Sequence, residues 1–500
     1  MCSSDLSSID WSQLNKKALK YFGIKRIRPC QREIIESVMN HKNVLGLMPT
    51  GAGKSLCYQL PALFFKKTVI VVSPLISLMH DQTTKLEEAG VEATKFDSTL
   101  TASEEKEAVH DVKKGLAELV YVTPEQLENP ERLKAFQKKG VSLVVIDEAH
   151  CVSQWGHDFR PAFLNIRKAI EQLGSPPVLA VTATATDQVQ KDILEQLGIP
   201  KATVISCGID RPNLVFNVYR TVNEDVKFQR CLQIIGESHG IGIVYVTTVK
   251  LANELHSRLL KAGLRAGKYH GKMPMKLRRE SQEDFMHNRF DVIVATKAFG
   301  LGIDKPDVRF VIHYTFPDSV ESYYQEAGRA GRDGKKATTA LLYRLEDKKI
   351  HSFFLGGKYP TSQDAAHLYQ TLLKMSDTPK KVVPIKELVE VSGICKKKAA
   401  VLLNYLEKEK IIQKKKGVRL LHTFETVEQF EKFLHHYDER TTQEKERIET
   451  IMRYGQTTEC RMMFMRHYFG EEAGEICKKC DNCRGKFLTP NPLVQNTSIN

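Results

Sequence analysis

VLGLMPTGAGKSLCYQL, residues 44–60, joins an apolar run to an amphipathic one through a turn that holds two glycines, a lysine and a serine. VLGL reads as a strand buried on both faces and LCYQLPALFF as a helix, so the stretch predicts a βα unit. A glycine-rich turn at that junction lets backbone N–H groups approach a polyphosphate. Thr50, Gly51 and Gly53 shape the turn, Lys54 suits the β- and γ-phosphates, and Ser55 suits Mg²⁺. The generic pattern has glycine where this chain has Met48, but the PTGxGKS form keeps the residues that the chemistry requires. A purely structural turn would need neither the lysine nor the hydroxyl.

Outward from this stretch, TVIVVSP (68–74), LVYVTP (119–124), LVVIDEAH (143–150) and VLAVTAT (178–184) are nearly all apolar. Helical patterns such as PLISLMHDQTTKLEEAG separate them, which predicts a parallel sheet covered by helices. After the turn-rich SCGIDRPN (206–213) the rhythm restarts in IGIVYVTT (241–248), FDVIVATKAFG (290–300), RFVIHYT (309–315) and TTALLYR (338–344). Two tandem α/β lobes are expected, 1–208 and 209–345, with a cleft between them that can close on a ligand.

Beyond about Leu345 the pattern turns helical and basic. VPIKELVEVSG reads as a helix ending at Gly393, and CKKKAAVLLNYLEKEK as a second with Ala399, Leu402, Leu403 and Leu406 on one stripe. IIQKKKGVRLL follows as a two-stranded wing. That order predicts a winged helix, a duplex-binding module, at about 380–422 within a mostly helical region 346–445. A helical spacer with a solvated lysine face fits the same residues. Residues 446–485 form the expected zinc-binding module, and 486–500 read as a disordered tail.

The chain is 42% hydrophobic and 27% charged, has no apolar run long enough to cross a bilayer, and opens without the basic and apolar blocks of a signal peptide. The expected location is cytoplasmic and nucleoid-associated in a bacterium, or nuclear in a eukaryote. A net charge of +14 favours a polyanionic partner, although many basic proteins have none. Cys2, Cys30, Cys57, Cys151, Cys207, Cys231 and Cys395 are scattered, which in such a chain predicts reduced thiols.

Asp147 and Glu148 end an apolar strand, where one carboxylate can hold Mg²⁺ while its neighbour orients an attacking water. Alone such a pair is usually only solvated; beside PTGAGKS it is a candidate catalytic pair. QEAGRAGRDG (325–334) offers Arg329 and Arg332 on a predicted helical face. An arginine brought across a cleft to a γ-phosphate accelerates transfer about 10³- to 10⁵-fold. A structural guanidinium paired with Asp333 is the alternative. Cys460, Cys477, Cys480 and Cys483, separated by 16, 2 and 2 residues, fit a closed tetrahedral Cys₄ zinc site, with an iron–sulfur cluster as the other thiolate reading.

In order, the chain carries RPCQ (28–31), PTGAGKS, VSPLISLMHDQ (72–82), TPEQL (123–127), DEAH (147–150), CVSQWGHDFRPAF (151–163), TATAT (182–186), DRPNL (210–214), VATKAFGLGIDKPDVRFVIHY (294–314) and QEAGRAGRDG. This set resembles the RecQ family of superfamily 2 DNA helicases over about residues 15–345. The aromatic loop after DEAH and the DRPNL segment together separate that family from DEAD-box and DEAH-box RNA helicases. The resemblance implies two RecA-like lobes and a zinc module, with ATP, Mg²⁺ and Zn²⁺ as cofactors. It implies that Gln31 reads the adenine edge with Arg28 beside it, that Asp147 holds magnesium and that Glu148 is the catalytic base. It further implies that His150 and Gln325 link nucleotide to moving parts, and that Arg329 or Arg332 is the arginine finger, Arg329 being preferred. Two departures stand out: the stretch from Gly334 to Cys460 is long for that family, and the winged-helix pattern precedes the zinc cysteines. Neither a downstream winged helix nor a helicase-and-RNase-D C-terminal module is expected after Cys483.

The implied activity is ATP-dependent 3′-to-5′ unwinding in DNA repair or recombination, with single-stranded DNA and tailed or forked duplex as partners. An RNA-stimulated ATPase and a DNA-binding protein with a decayed motor are the alternatives. In CVSQWGHDFRPAF, Trp155 and Phe159 can stack on bases and Arg160 can meet phosphate, so the loop can report DNA to the neighbouring Glu148. Phe163 reads as core.

Overall fold

The protein is described by a computed structural model over residues 9–153, 155, 156, 158–300, 303, 305–348, 360–376, 381–414, 417–472 and 474–485. The expected disordered tail at 486–500 lies outside the described residues.

Seven parallel strands build the first lobe: β1 (Val44–Leu47), β2 (Thr68–Val72), β3 (Ala93–Phe96), β4 (Leu119–Val122), β5 (Val141–Ile146), β6 (Val178–Thr182) and β7 (Thr203–Ser206), in the order β3-β4-β2-β5-β6-β1-β7. Successive side chains of a strand point to opposite faces. Accordingly Val69, Val71, Leu143 and Val145 enter one core, whereas Ile70, Val72, Val144 and Ile146 enter the other. This double burial is why those strands are continuous apolar runs.

Six further parallel strands form the second lobe: β8 (Leu214–Arg220), β9 (Gly242–Tyr245), β10 (Ala266–Tyr269), β11 (Val292–Ala295), β12 (Phe310–His313) and β13 (Ala337–Tyr343), in the order β10-β11-β9-β12-β13-β8. The four strands absent from the sequence reading, β3, β7, β8 and β10, are the edge strands of the two sheets. An edge strand has one pairing partner, and three of these four carry a mixed or partly exposed pattern.

The chain falls into two compact units. One takes in both lobes and the segment from Thr457 onward; the other is Arg344–Gln456 with Pro317–Ser319. In the second unit, the helices Ile385–Ser392 and Lys396–Lys408 are followed by β15 (Ile412–Lys414) and β16 (Val418–Leu420). Strand β14 (Val382–Val383) joins them in the antiparallel order β14-β16-β15. Gly393 closes the first helix at φ 63°, and Ala399, Leu402, Leu403 and Leu406 are buried together with Val383, Ile412 and Val418. The boundary expected at 445/446 lies inside one helix, Val427–Gln456.

One expectation about the cysteines is overturned. Cys30 and Cys207 form a disulfide across 177 residues, with Cα atoms 5.5 Å apart. Cys30 is on the helix Pro29–Met39 and Cys207 follows β7, which pairs with β1. The sheet order makes them neighbours, a proximity that linear spacing does not reveal. Cys57, Cys151, Cys231 and Cys395 are free, as expected.

No helix among the described residues is long and apolar enough to cross a membrane.

Candidate active site

In an open parallel sheet, ligands gather beyond the carboxyl ends of the strands. The turn after β1 is such a place, and Gly51 and Gly53 both take φ 80°, where a side chain would be strained. Gln31 holds this turn by donating from Nε2 to the carbonyls of Ala52 at 2.9 Å and Gly53 at 3.2 Å, and its Oε1 accepts from the Arg28 N–H at 2.9 Å. Arg28 Nη1 reaches the Gly51 carbonyl at 3.4 Å. The Gln31 amide thus braces the phosphate loop, a contact that the adenine-reading expectation did not include.

Asp147 and Glu148 leave β5 on the same side of the sheet. Lys54 Nζ lies 3.4 Å from Glu148 Oε1. Burial first, and then the Glu148 carboxylate, push Asp147 up to about 7, against the pull of Lys54. Glu148 sits at φ 49°, ψ 49°, a left-handed conformation that costs a non-glycine residue about 1–3 kcal/mol and is typical of functional positions. His150 is buried, its Nδ1 3.0 Å from Thr182 Oγ1 and 3.4 Å from Glu148 Oε2, so it connects the Glu148 carboxylate to the end of β6.

A cleft of about 280 Å³ gathers Thr50, Gly51, Gly53, Lys54, Ser55, Asp147 and Glu148 from the first lobe with Gln325, Arg329 and Arg332 from the second. The arginines do not lie on a helical face as expected. The helix Val320–Ala327 ends before them, and both fall in the glycine-interrupted turn that follows. Arg329 is buried and its Nη1 donates to the Gly300 carbonyl. The Cγ of Arg332 lies 3.3 Å from where a Cβ on Gly51 would stand. Asp333 pairs with Arg309 at 2.7 Å.

The aromatic loop begins as the 3₁₀ turn Ala149–Cys151 and closes back on it, Arg160 N–H donating to the Cys151 carbonyl at 3.0 Å. Gly156 is pressed so near the DEAH segment that a Cβ there would stand 2.2 Å from the His150 carbonyl oxygen. Trp155 is half-buried against the first-lobe core, Phe159 is also half-buried, and Phe163 is core. The Arg160 guanidinium donates to the Pro74 carbonyl at 2.8 Å and pairs with Asp158 at 3.2 Å.

The sulfurs of Cys460, Cys477, Cys480 and Cys483 lie within 4.8 Å of one another, with Cys477 and Cys483 3.9 Å apart. Four thiolates about 2.3 Å from a central Zn²⁺ stand about 3.8 Å apart, so this set fits the ion. Backbone N–H groups of Cys477, Cys480 and Cys483 donate to Cys460, Cys477 and Cys480 sulfurs at 3.2, 3.4 and 3.4 Å. Such donors offset negative charge on thiolates. The cysteines are framed by a buried pair, Arg461 to Asp481 at 2.7 Å. At the other site, the buried Asp147, the Ser55 hydroxyl and the Glu148 carboxylate form an oxygen donor set suited to a hard divalent cation such as Mg²⁺.

Three families match: DEAD/DEAH box helicase over residues 28–193, helicase conserved C-terminal domain over 226–334, and RecQ zinc-binding over 422–484. The ATP-dependent DNA helicase RecQ of Bacillus subtilis is 46% identical over 337 residues, 67% of this chain and 57% of that protein. The probable ATP-dependent DNA helicase RecS of the same organism is 38% identical over 371 residues, 73% of this chain and 74% of that protein. The chain belongs to the RecQ family. It spans little more than half the length of the first of these relatives. Among solved structures, S. cerevisiae Dbp5 bound to RNA and ADP BeF3 has a TM-score of 0.53 at 19% identity, covering 69% of this chain and 90% of that one, which is a likeness of fold. ATP, Mg²⁺ and Zn²⁺ fit the matched domains of this RecQ-family chain.

Two residues that touch this site were missed in the sequence. Gly156 is one; the signal was its place beside DEAH. Arg211 is the other; it lies in the DRPNL segment, which the sequence reading singled out as a motif without giving this arginine a role.

Two measurements test these geometries. Gly156→Ala is expected to keep nucleotide affinity, yet to lose most DNA stimulation of hydrolysis, because the loop must leave the His150 carbonyl; unchanged stimulation would count against the contact. Metal analysis is expected to find one zinc per chain. Its removal by chelator should open the 457–485 segment to cleavage after Lys478 and Lys479, and equal protease resistance with and without metal would refute a structural role.

Proposed function

We propose that this chain is an ATP-dependent DNA helicase that moves 3′ to 5′ on single-stranded DNA and opens tailed or forked duplex in repair or recombination. The observation that carries the reading is the single cleft in which Lys54, Asp147 and Glu148 of one lobe face Arg329 and Arg332 of the other, with an aromatic loop packed on the same DEAH segment. Ser55 and Asp147 would hold Mg²⁺, which supplies charge neutralisation at the phosphoryl oxygens. Lys54 binds the terminal phosphates, and this draws its ammonium from Glu148, whose carboxylate then orients the attacking water.

Between the two arginines, Arg332 is the better finger. Arg329 Nη1 is engaged by the Gly300 carbonyl inside its own lobe, whereas the Arg332 stem lies against the phosphate loop. Trp155 and Phe159 stack on bases, and Arg160, through Pro74 and Asp158, fixes the loop that carries them. The helix pair and β-hairpin at 380–422 serve as a winged helix that contacts duplex, supported by the exposed Lys386 and Lys396.

Unwinding of duplexes with 3′ or 5′ single-stranded tails, with and without ATP, tests the whole reading. Separation is expected only from 3′ tails and only with ATP, and hydrolysis should respond to single-stranded DNA more than to RNA. No ATP-dependent separation, 5′ polarity or RNA preference would each reject it. Arg332→Ala is expected to lower kcat about 10³-fold or more with nucleotide affinity nearly kept. Arg329→Ala should instead lower the melting temperature, and the reverse pattern would restore Arg329 as the finger.

A further inference from the structure

Arg211 belongs to neither sheet. It stands in the linker between β7 and β8, yet its guanidinium is buried in the wall between the phosphate loop and the arginine-bearing turn. Among the described residues, the four hydrogen bonds of this guanidinium go to backbone carbonyls. Nη1 donates to Thr50 of the phosphate loop and to Gly328 at 3.0 Å, while Nη2 donates to Ala330 at 2.9 Å and Gly331 at 3.2 Å. No carboxylate is among these partners, and burial draws the pKa of Arg211 below the usual guanidinium range, with Arg332 and Arg28 acting in the same direction. A cation in such a place is not there for charge pairing. Its value is the fixed planar fork, which sets the relative positions of the carbonyls it joins.

Those carbonyls are chosen by position. Gly328 and Ala330 flank Arg329, and Gly331 precedes Arg332, so three bonds grip the backbone on either side of Arg329 and directly before Arg332. The fourth reaches the residue before Gly51, the glycine against which the Arg332 stem rests. Three bonds hold Arg211 to the second lobe and one to the first. When the lobes part, the Thr50 bond is the one that must break.

The backbone of Arg211 is held from behind. Tyr324 donates from its hydroxyl to the Ile209 carbonyl at 2.6 Å, Arg466 pairs with Asp210, and Lys479 donates to the Pro212 carbonyl. The fork therefore projects from an anchored stem.

We propose that Arg211 is a positioning residue for ATP hydrolysis: on closure of the two lobes it captures the Thr50 carbonyl and so sets the phosphate loop against the turn that carries Arg329 and Arg332. It contacts no reacting atom and acts through the backbone of both segments. The proposal rests on the reading of this cleft as an ATP-hydrolysing site.

Steady-state hydrolysis at saturating single-stranded DNA, equilibrium binding of a fluorescent ADP, and thermal melting would be compared for the wild-type protein, Arg211→Met and Arg211→Lys. Methionine keeps the stem and removes the fork; lysine restores a cation that can reach fewer of the carbonyls at once. Arg211→Met is expected to lose about 10²-fold in kcat, the scale of a displacement of about 1 Å at a catalytic site, with KM for ATP and ADP affinity within about threefold of wild type. Arg211→Lys should recover about a tenth of wild-type kcat. A methionine variant with kcat within about threefold of wild type, a loss confined to KM or ADP affinity, or a lysine variant no better than methionine would overturn the proposal. If neither variant folds, the residue is a structural one and the proposal falls. Absence of hydrolysis by the wild-type protein is a separate outcome, since it removes the ATPase reading itself and the proposal with it.

Discussion

Asp147 and Glu148 are adjacent carboxylates at the end of a largely apolar strand, and the Glu148 charge makes Asp147 harder to ionise. Burial and the Glu148 charge raise Asp147 to about 7, while Lys54 acts the other way. Positive charge has to come from elsewhere, because β5 and its neighbours β2 and β6 carry no basic residue. The fold meets this need by topology. The turn after β1 brings Lys54 from beyond β6, and the second lobe contributes Arg329 and Arg332 to the same cleft. Opposite charges that attract across a gap between two sheets give nucleotide and metal a way to bias closure, which a site built within one lobe would lack.

How far this could be read in advance depends on where the information resides. Strands buried on both faces announce themselves by composition, so the inner strands of both sheets were all legible. Edge strands such as Ala93–Phe96 and Thr203–Ser206 are mostly partly buried or exposed and carry no comparable signal. The phosphate loop and the acidic pair were legible because their chemistry is packed into contiguous residues. Arg211 was not, since its partners are main-chain carbonyls 117 to 161 residues away and no pattern of side chains marks them. The disulfide between Cys30 and Cys207 and the different tasks of Arg329 and Arg332 were hidden for the same reason: each depends on which segments the sheets bring together.

Close backbone approach explains much of what side-chain chemistry does not. At Gly328 a Cβ would stand 2.9 Å from Thr50 Cβ, so the phosphate loop and the arginine turn meet almost backbone to backbone. Gly156 makes the same kind of contact with His150. Interfaces of this sort have little room for intermediate positions, because packed atoms lose contact within fractions of an ångström. They behave as made or broken, the property that two alternating arrangements of the lobes would require.

The cysteine segment extends the argument beyond the cleft. Arg466 pairs with Asp210, Lys479 donates to Pro212, Arg484 donates to Asn217 of β8 at 2.8 Å, and Tyr468 donates to Glu321 of the helix before the arginine turn at 2.8 Å. Every one of these contacts lands on the linker between the lobes or on the second-lobe elements next to it. A zinc-ordered segment can hold such a set of partners only while its own loops are rigid, and four thiolates on one ion are what make so short a segment rigid. Its structural role is therefore not local. By holding residues 209–212 it would hold the root of Arg211 and, through the carbonyls that Arg211 joins, the spacing of the phosphate loop and the arginine turn.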